Sequence, residues 1–344
     1  MTACTQVQST TFFEKLQNTP HVDLRDSRGK RHPMAVVLLE FTLALLCNRD
    51  GCLSSIHRHM ANHHSRVMRE VGQPIARAVS RSQLPVVPCK VCVAVFERLV
   101  FDFYGVELKE AEKQWFAADG KELRGSIAGG DKRGEVVVLA VRHGDGAIAG
   151  QARHSGKKES EIRSVRTLLE QGGLSGQKVS MDALHLNPET LGTVQKAGGT
   201  YLVGLKGNQK ELLAEMAGCA LSKASHSHRT VEKGHGRLEE RDYQCFDVRG
   251  AWFDKRWDKC GIATLVRVER ARLEMKGNKR SREVALYLSN KAPGTPAEAA
   301  ELFVASRKHW PVEVVNHVRD VSLREDQLRT KKTKFPKWHP HLEH

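Results

Sequence analysis

Between Thr11 and about position 105, apolar residues return at intervals of three and four, the spacing of one helix face. The pattern predicts helices over 34–47, 53–71 and 90–103, the middle one unusually rich in His and Arg. Ahead of the first long run stands a charged turn segment from Asp23 to Pro33, where Pro33 favours a helix start. Pro85 and Pro88 mark a second break. This part reads as a small α-helical domain.

After Lys113 the pattern changes to short apolar runs bounded by glycine. Strands are predicted over 114–118, 135–141, 146–153, 179–181 and 201–205, with helices over 159–171 and 188–197 between the later ones. Three strands in succession, then helix, strand, helix, strand, is the order of an α/β ribonuclease-H-like core, a mixed sheet flanked by helices. From about 227 to 290 the chain turns strand-like and basic, with Tyr243, Trp252, Phe253, Trp257 and Tyr287 set among arginines, and reads as a β-rich insertion in that core. Helix returns at Pro296, where Thr295 can cap, and again after Pro311 over 312–323. The divisions are a helical domain over 1–106, the core over 107–328, and a densely basic tail over 329–344 read as disordered.

Composition narrows the partners. In 344 residues, 55 Lys+Arg stand against 40 Asp+Glu, a formal charge of +15, which points to a polyanion. The longest apolar run, 34–47, contains Glu40 and falls short of the ~20 residues that cross a bilayer, so no membrane partner is expected. With no basic-then-apolar leader at the start, the default location is the cytoplasm. The eight cysteines are too few and too irregular for a disulfide scaffold. Cys47, Cys52, Cys89 and Cys92 with His57, His59, His63 and His64 offer enough ligands for a structural zinc site. Cys89 and Cys92, however, fall inside a helical pattern, and His59 and His63 equally suit a surface facing phosphates. No glycine-rich phosphate loop follows any strand.

Two aspartates close apolar strands in matching contexts, Asp119 before Gly120 and Asp182 before Ala183. Side by side, two such strands bring their carboxylates within reach of a shared cation, and Glu313 on the late helix would complete a cluster of three. Such a cluster holds two Mg²⁺ ions about 3.5–4 Å apart for in-line phosphoryl displacement. On spacing alone, either aspartate equally reads as a cap of a turn or helix.

The surrounding blocks carry more. They are Asp26-Ser27-Arg28-Gly29-Lys30-Arg31-His32-Pro33, Ser80-Arg81-Ser82-Gln83-Leu84-Pro85, Asp119-Gly120-Lys121-Glu122-Leu123-Arg124-Gly125-Ser126 and Lys158-Glu159-Ser160-Glu161-Ile162. They continue with Asp182-Ala183-Leu184-His185, Tyr201-Leu202-Val203-Gly204-Leu205-Lys206-Gly207-Asn208-Gln209 and Gly234-His235-Gly236-Arg237-Leu238-Glu239-Glu240-Arg241. The last are His309-Trp310-Pro311-Val312-Glu313 and Arg319-Asp320-Val321 with Glu325-Asp326. Along nearly its whole length the chain resembles IS4-like DDE transposases, most closely the ISAs1 family and its H-repeat-associated relatives. The resemblance implies that Asp119, Asp182 and Glu313 are a DDE triad binding two Mg²⁺ or Mn²⁺ ions. It also implies DNA as partner, both insertion-sequence terminal repeats and target, with self-association on the DNA.

Around the triad, Lys206, Asn208 and Gln209 suit phosphate or a flipped nucleotide, or else a glycine turn capped by Asn208. Lys121 and Arg124 could neutralise a scissile phosphate or form a solvated turn. His235, Arg237 and Arg241 suit DNA-backbone contact or cross-strand ion pairs, and His309 is counted with the DNA contacts.

The chain also departs from these relatives. The wider group surrounds its Glu with Tyr-x2-Arg-x3-Glu-x6-Lys, and here those places hold Ser306, His309 and Asp320 around Glu313. After Thr330 the family's Gly-x-Ala-Pro turn and apolar helix give way to Lys331-Lys332-Thr333-Lys334-Phe335-Pro336-Lys337-Trp338. Three readings follow: an active transposase, a truncated inactive remnant that at most binds DNA, or a general metal-dependent nuclease on the same fold.

Overall fold

The computed structural model describes residues 10–28, 30–47, 52–104, 113–124, 127, 134–154, 160–171, 174–234 and 236–322. His235, the Gly125-Ser126 and Lys158-Glu159 pairs, Glu325-Asp326 and the basic tail lie outside the described residues. Two compact units emerge, one from Met1–Glu107, Arg124–Gly130 and His317–His344, the other from Leu108–Leu123 and Asp131–Asn316.

In the first unit, α1 (Phe12–Asn18) opens with a reciprocal cap, Thr11 accepting from the Glu14 N–H and Glu14 accepting from the Thr11 N–H. Helix α2 (Met34–Cys47) is apolar on nearly every face and is buried on several, whereas α3 (Leu53–Glu70) turns Ile56, Met60, His64 and Met68 inward at steps of four. Helix α4 (Val93–Tyr104) starts three residues later than its periodicity predicts. Pro88–Lys90 forms a single 3-10 turn and Val91 pairs with Asp23 as a bridge, so the chain is extended just where the helix was expected. Leu16, Val37, Leu38, Ile56, Met60 and Leu99 share one core.

That core holds one buried polar pair. Glu40 inside the apolar α2 is 2.7 Å from Nδ1 of His64, and His64 Nε2 is 2.9 Å from the Ala76 carbonyl oxygen. A carbonyl only accepts, so Nε2 carries hydrogen and the remaining proton lies between Nδ1 and the carboxylate. Burial pushes the Glu40 carboxyl up, against the pull of His64. His64→Ala strands a buried carboxylate and should cost roughly 3–5 kcal/mol in urea unfolding, whereas the double change Glu40→Leu with His64→Leu should cost far less.

The second unit is built on one nine-stranded sheet, in the order β3-β2-β1-β4-β5-β9-β8-β7-β6. Strands β1 (Trp115–Leu123), β2 (Glu135–Arg142) and β3 (Ile148–His154) form an antiparallel meander, and β4 (Lys178–Met181) and β5 (Thr200–Leu205) add parallel to β1. This is the predicted ribonuclease-H-like core. The predicted insertion is β6 (His226–Gly234), β7 (Arg237–Asp247), β8 (Thr264–Glu274) and β9 (Lys279–Ser289), an antiparallel ribbon that joins the same sheet where β9 pairs with β5.

Helices cover both faces, which is why β2 and β5 read as continuous apolar runs. On one face lie α5 (Ser160–Gln171), α6 (Pro188–Lys196) and α7 (Lys210–Cys219), packing Val165, Leu168, Leu191 and Met216 against Phe116, Ala118, Val138 and Val203. On the other, α8 (Pro296–Arg307) packs Leu302 and Phe303 on Leu202, Tyr243 and Val266, and α9 (Trp310–His317) packs Val312 on Ala117, Val137 and Leu139. Glu301 ties α8 to the sheet, accepting from Trp115 Nε1 at 2.7 Å and from Lys178.

Two boundaries differ from expectation. Strand β1 does not end at Asp119, because β2 stays paired with it as far as Leu123. Pro311 does not break the last helix but sits in the first turn of α9, where its missing N–H has no helical partner to lose, and a π-turn over Val318–Ser322 follows. No described helix is long and apolar enough to cross a membrane.

Candidate active site

The register fixes the centre of the site. Ala117 pairs with Ser180 and Ala118 with Met181, after which β4 stops, so Asp119 and Asp182 occupy the next places on adjacent strands about 4.8 Å apart. Ala118 and Met181 point into the α5 side, so alternation sends Ala117, Asp119, Ser180 and Asp182 to the α8/α9 face. Lys206 follows the neighbouring parallel strand β5, and its Nζ donates to Asp182 Oδ1 at 3.0 Å.

The two carboxylates differ in character. Burial pushes Asp119 up to about 6, reinforced by the charge of Glu161 and, more weakly, of Asp182, and opposed by the Gly120 N–H and His185. Its Oδ2 accepts from Asn316 Nδ2 of α9 at 3.1 Å. For Asp182, burial acts upward, but hydrogen bonds from Lys206 and the Ala183 N–H outweigh it and leave the carboxyl below its usual range.

Behind the pair, Ser180 Oγ lies 2.9 Å from His143 Nε2 and 3.0 Å from His309 Nδ1. A hydroxyl gives one hydrogen and accepts another, so it joins two neutral imidazoles in a chain. Burial holds both rings neutral at pH 7, His143 down to about 3 and His309 to about 4, the latter against the attraction of Asp182. His309, expected among the DNA contacts, is thus fastened to the sheet beside Asp182.

The other expected residues divide. Asn208 Nδ2 donates to the Ala183 carbonyl at 2.8 Å and Gln209 Nε2 to the Leu186 carbonyl at 3.1 Å, so both amides brace the turn after Asp182, and Asn208 does not cap α7. Lys121 is buried two residues beyond Asp119 on the same face, and Arg124 is exposed past the end of β1. On the ribbon, Arg241 bonds Glu239 of its own strand at 2.8 Å and Glu232 of β6 at 3.3 Å, so the cross-strand pair is realised for Arg241, whereas Arg237 lies 3.7 Å from Glu239 of its own strand.

Glu313 is exposed on the first turn of α9. Val312 and Val315 anchor this helix to the sheet, and that rotation brings Asn316 rather than Glu313 to Asp119. Among the described residues no group of three or more His, Cys, Asp or Glu side chains is placed to hold a metal ion. The expected triad is therefore present as a pair. In the helical unit, His57 bonds the Val79 carbonyl, His64 is spent on Glu40 and Ala76, the His59 and His63 rings meet at a tilt with centroids 4.5 Å apart, and no zinc ligand set forms among the described residues.

The structure brings to the aspartate pair five residues that the sequence reading did not single out: Asn316, Ser180, His143, Glu161 and His185. Glu161 and His185 lay inside blocks singled out for other residues. The side-chain oxygens of the aspartate pair suit a hard divalent cation. On the α5 side of β1, Glu161 fills the space beside Gly120, and the buried ring of His185 has no hydrogen-bond partner.

A ribonuclease-H-like sheet with paired aspartates where β1 passes the end of β4 defines the class of protein. The match to the family described as "Transposase DDE domain" spans residues 99–334, and the chain belongs to that family. It is 28% identical over 324 residues to the "H repeat-associated putative transposase YhhI" of Escherichia coli (strain K12), covering 90% of this chain and 82% of that protein. It is 29% identical over 230 residues to the "Putative protein YbfL" of the same strain, where the match spans 64% of this chain and 60% of the relative's length. A cryo-EM structure of the piggyBac transposase synaptic complex with hairpin DNA overlaps 90% of this chain and 68% of that chain, with 8% identity and a TM-score of 0.41.

Asp119 yields a pH prediction for the metal-free protein. Its folded value near 6 lies above the usual 3.8, so its contribution to stability is full below about 3.8 and is lost as pH rises through 6. The loss should approach roughly 3 kcal/mol, and Asp119→Asn should abolish it. A carboxyl ¹³C titration with its midpoint near pH 6, absent in that variant, checks the assignment.

Proposed function

We propose that the chain is a DNA transposase of the ISAs1 branch that binds insertion-sequence ends and target DNA and carries out metal-dependent strand cleavage and strand transfer. The observation that carries the reading is the placement of Asp119 on β1 beside Asp182, just past the end of the paired strand β4, in a chain of this family. These carboxylates would hold Mg²⁺ or Mn²⁺, two ions in the full site, with Glu313 as the third ligand once DNA is bound. When bound, the metals supply charge neutralisation at the scissile phosphate.

The chain's own groups serve the same chemistry. Lys206 is poised at Asp182 to meet a phosphate oxygen in its place. The His143–Ser180–His309 chain holds the strand end rigid and uncharged on its sheet side. The net charge of +15 draws the DNA backbone, and its binding should weaken steeply with salt. Self-association on DNA belongs to the same reading, because two element ends must be cut and joined together.

Strand cleavage of a DNA carrying the native element ends, in Mg²⁺, tests it. Asp119→Asn and Asp182→Asn should each slow cleavage by about a thousandfold, which is ~4 kcal/mol of barrier. Glu313→Gln should do the same if it completes the triad on DNA, and full activity in that variant would remove it from the site. No cleavage by the unsubstituted chain, with DNA still shifted in a gel, would replace this reading by that of a DNA-binding remnant.

A further inference from the structure

Helix α3 carries its charge on one side. Inward it turns Ile56, Met60, His64 and Met68, all buried, and outward it presents Arg58, Asn62, Arg66 and Arg69, all exposed, at steps of four, four and three. The one acid of the helix is its last residue, Glu70. Among the described residues none of these three arginines has an acidic partner, unlike the ribbon arginines gathered on Glu239.

Beside the helix runs the segment 72–81, held there by side chains. His57 Nε2 lies 3.1 Å from the Val79 carbonyl oxygen, His64 Nε2 lies 2.9 Å from that of Ala76, and Arg81 Nη2 donates to Ser54 Oγ at 3.0 Å. Arg77 and Arg81 of this segment are exposed, and among the described residues they too meet no acid. Guanidinium groups on two adjoining elements thus share one side of the helical unit with no anion to answer them, which fits a partner of repeating negative charge.

The geometry narrows that partner to a duplex. The apolar face of α3 is spent on its own core, so no stripe is left for a membrane surface or a partner helix. Its 18 residues make about 27 Å of helix, and the major groove of DNA, about 12 Å wide, admits one. A straight helix in a curved groove comes nearest the bases at its middle, where Asn62 and Arg66 stand, and nearest the phosphates at its ends. Asn pairs in bidentate fashion with adenine and Arg with guanine, so the central side chains carry donor patterns that read base edges.

We propose that α3 is the helix by which this chain reads its DNA, lying in the major groove with Asn62 and Arg66 on base edges while Arg58, Arg69, Arg77 and Arg81 hold the flanking phosphates. The proposal rests on the reading of the chain as a transposase that binds element ends, and it names the surface that recognises them.

Fluorescence anisotropy of the full chain on two labelled duplexes, one carrying the element end and one of shuffled sequence, tests it. The unsubstituted chain should prefer the element end. Asn62→Ala and Arg66→Lys should each weaken binding to that duplex about tenfold and to the shuffled one less than about threefold, since the lysine keeps the charge and loses the fork. Arg77→Gln and Arg81→Gln should instead weaken both duplexes alike, each lowering the salt slope by about one. These side chains are exposed, so the variants should melt with the unsubstituted chain, which separates lost binding from lost fold. A loss of the same size on both duplexes in Asn62→Ala and Arg66→Lys, or a preference for the element end that survives intact in both, overturns the role of α3. Binding of neither duplex by the unsubstituted chain sinks the DNA reading itself.

Discussion

Two like charges stand on neighbouring strands at the place where one strand stops and the other continues. The parallel pairing of β1 with β4 sets that distance, and β4 is short enough to leave Asp182 at its end while β1 runs on through Asp119 with β2 as its partner. Such a juxtaposition costs free energy in an apolar sheet unless a cation or a set of donors answers it. Much around the pair can be understood as that answer. Lys206 and the Ala183 N–H take the exposed acid, Asn316 takes the half-buried one, and the turn after Asp182 is braced by Asn208 and Gln209.

The scaffold keeps this edge rigid through packing on both faces. The α5 to α7 layer buries the large side chains of the meander and parallel strands, and α8 is pinned on the other side through Glu301 to Trp115 and Lys178. Beneath the aspartates, Ser180 bridges two uncharged histidines.

The surplus of basic residues has a similar division of labour. On the ribbon the half-exposed arginines are not all available, because Glu239 is buried with Arg237, Arg241, Arg270 and Arg272 around it. Four cations on one buried anion keep a strongly positive strand surface from repelling itself while leaving net positive charge for a polyanion. In the helical unit the pairing of His64 with Glu40 does the opposite work, hiding a polar contact inside an apolar core.

The sequence by itself determined the order of strands and helices and the class of core, because apolar periodicity is a local signal that needs no partner to be read, whereas on spacing alone Asp119 and Asp182 read equally as caps, a part that Asp182 also plays here. Composition determined the basic character that fits DNA. Only the tertiary structure decided which side chains share the site. Glu313 and Asn316 lie three residues apart on one helix, and the packing of Val312 and Val315 against β1 and β2 selects Asn316 to face Asp119. Gly120 follows a strand-closing acid in the sequence, yet in the fold Glu161 from another element fills the space beside it. His143, Ser180 and His309 come from three separated elements and carry no common spacing in the chain. Contacts of that kind depend on the rotation of packed helices and the register of paired strands, which are set by the whole core and are written in no single stretch of sequence.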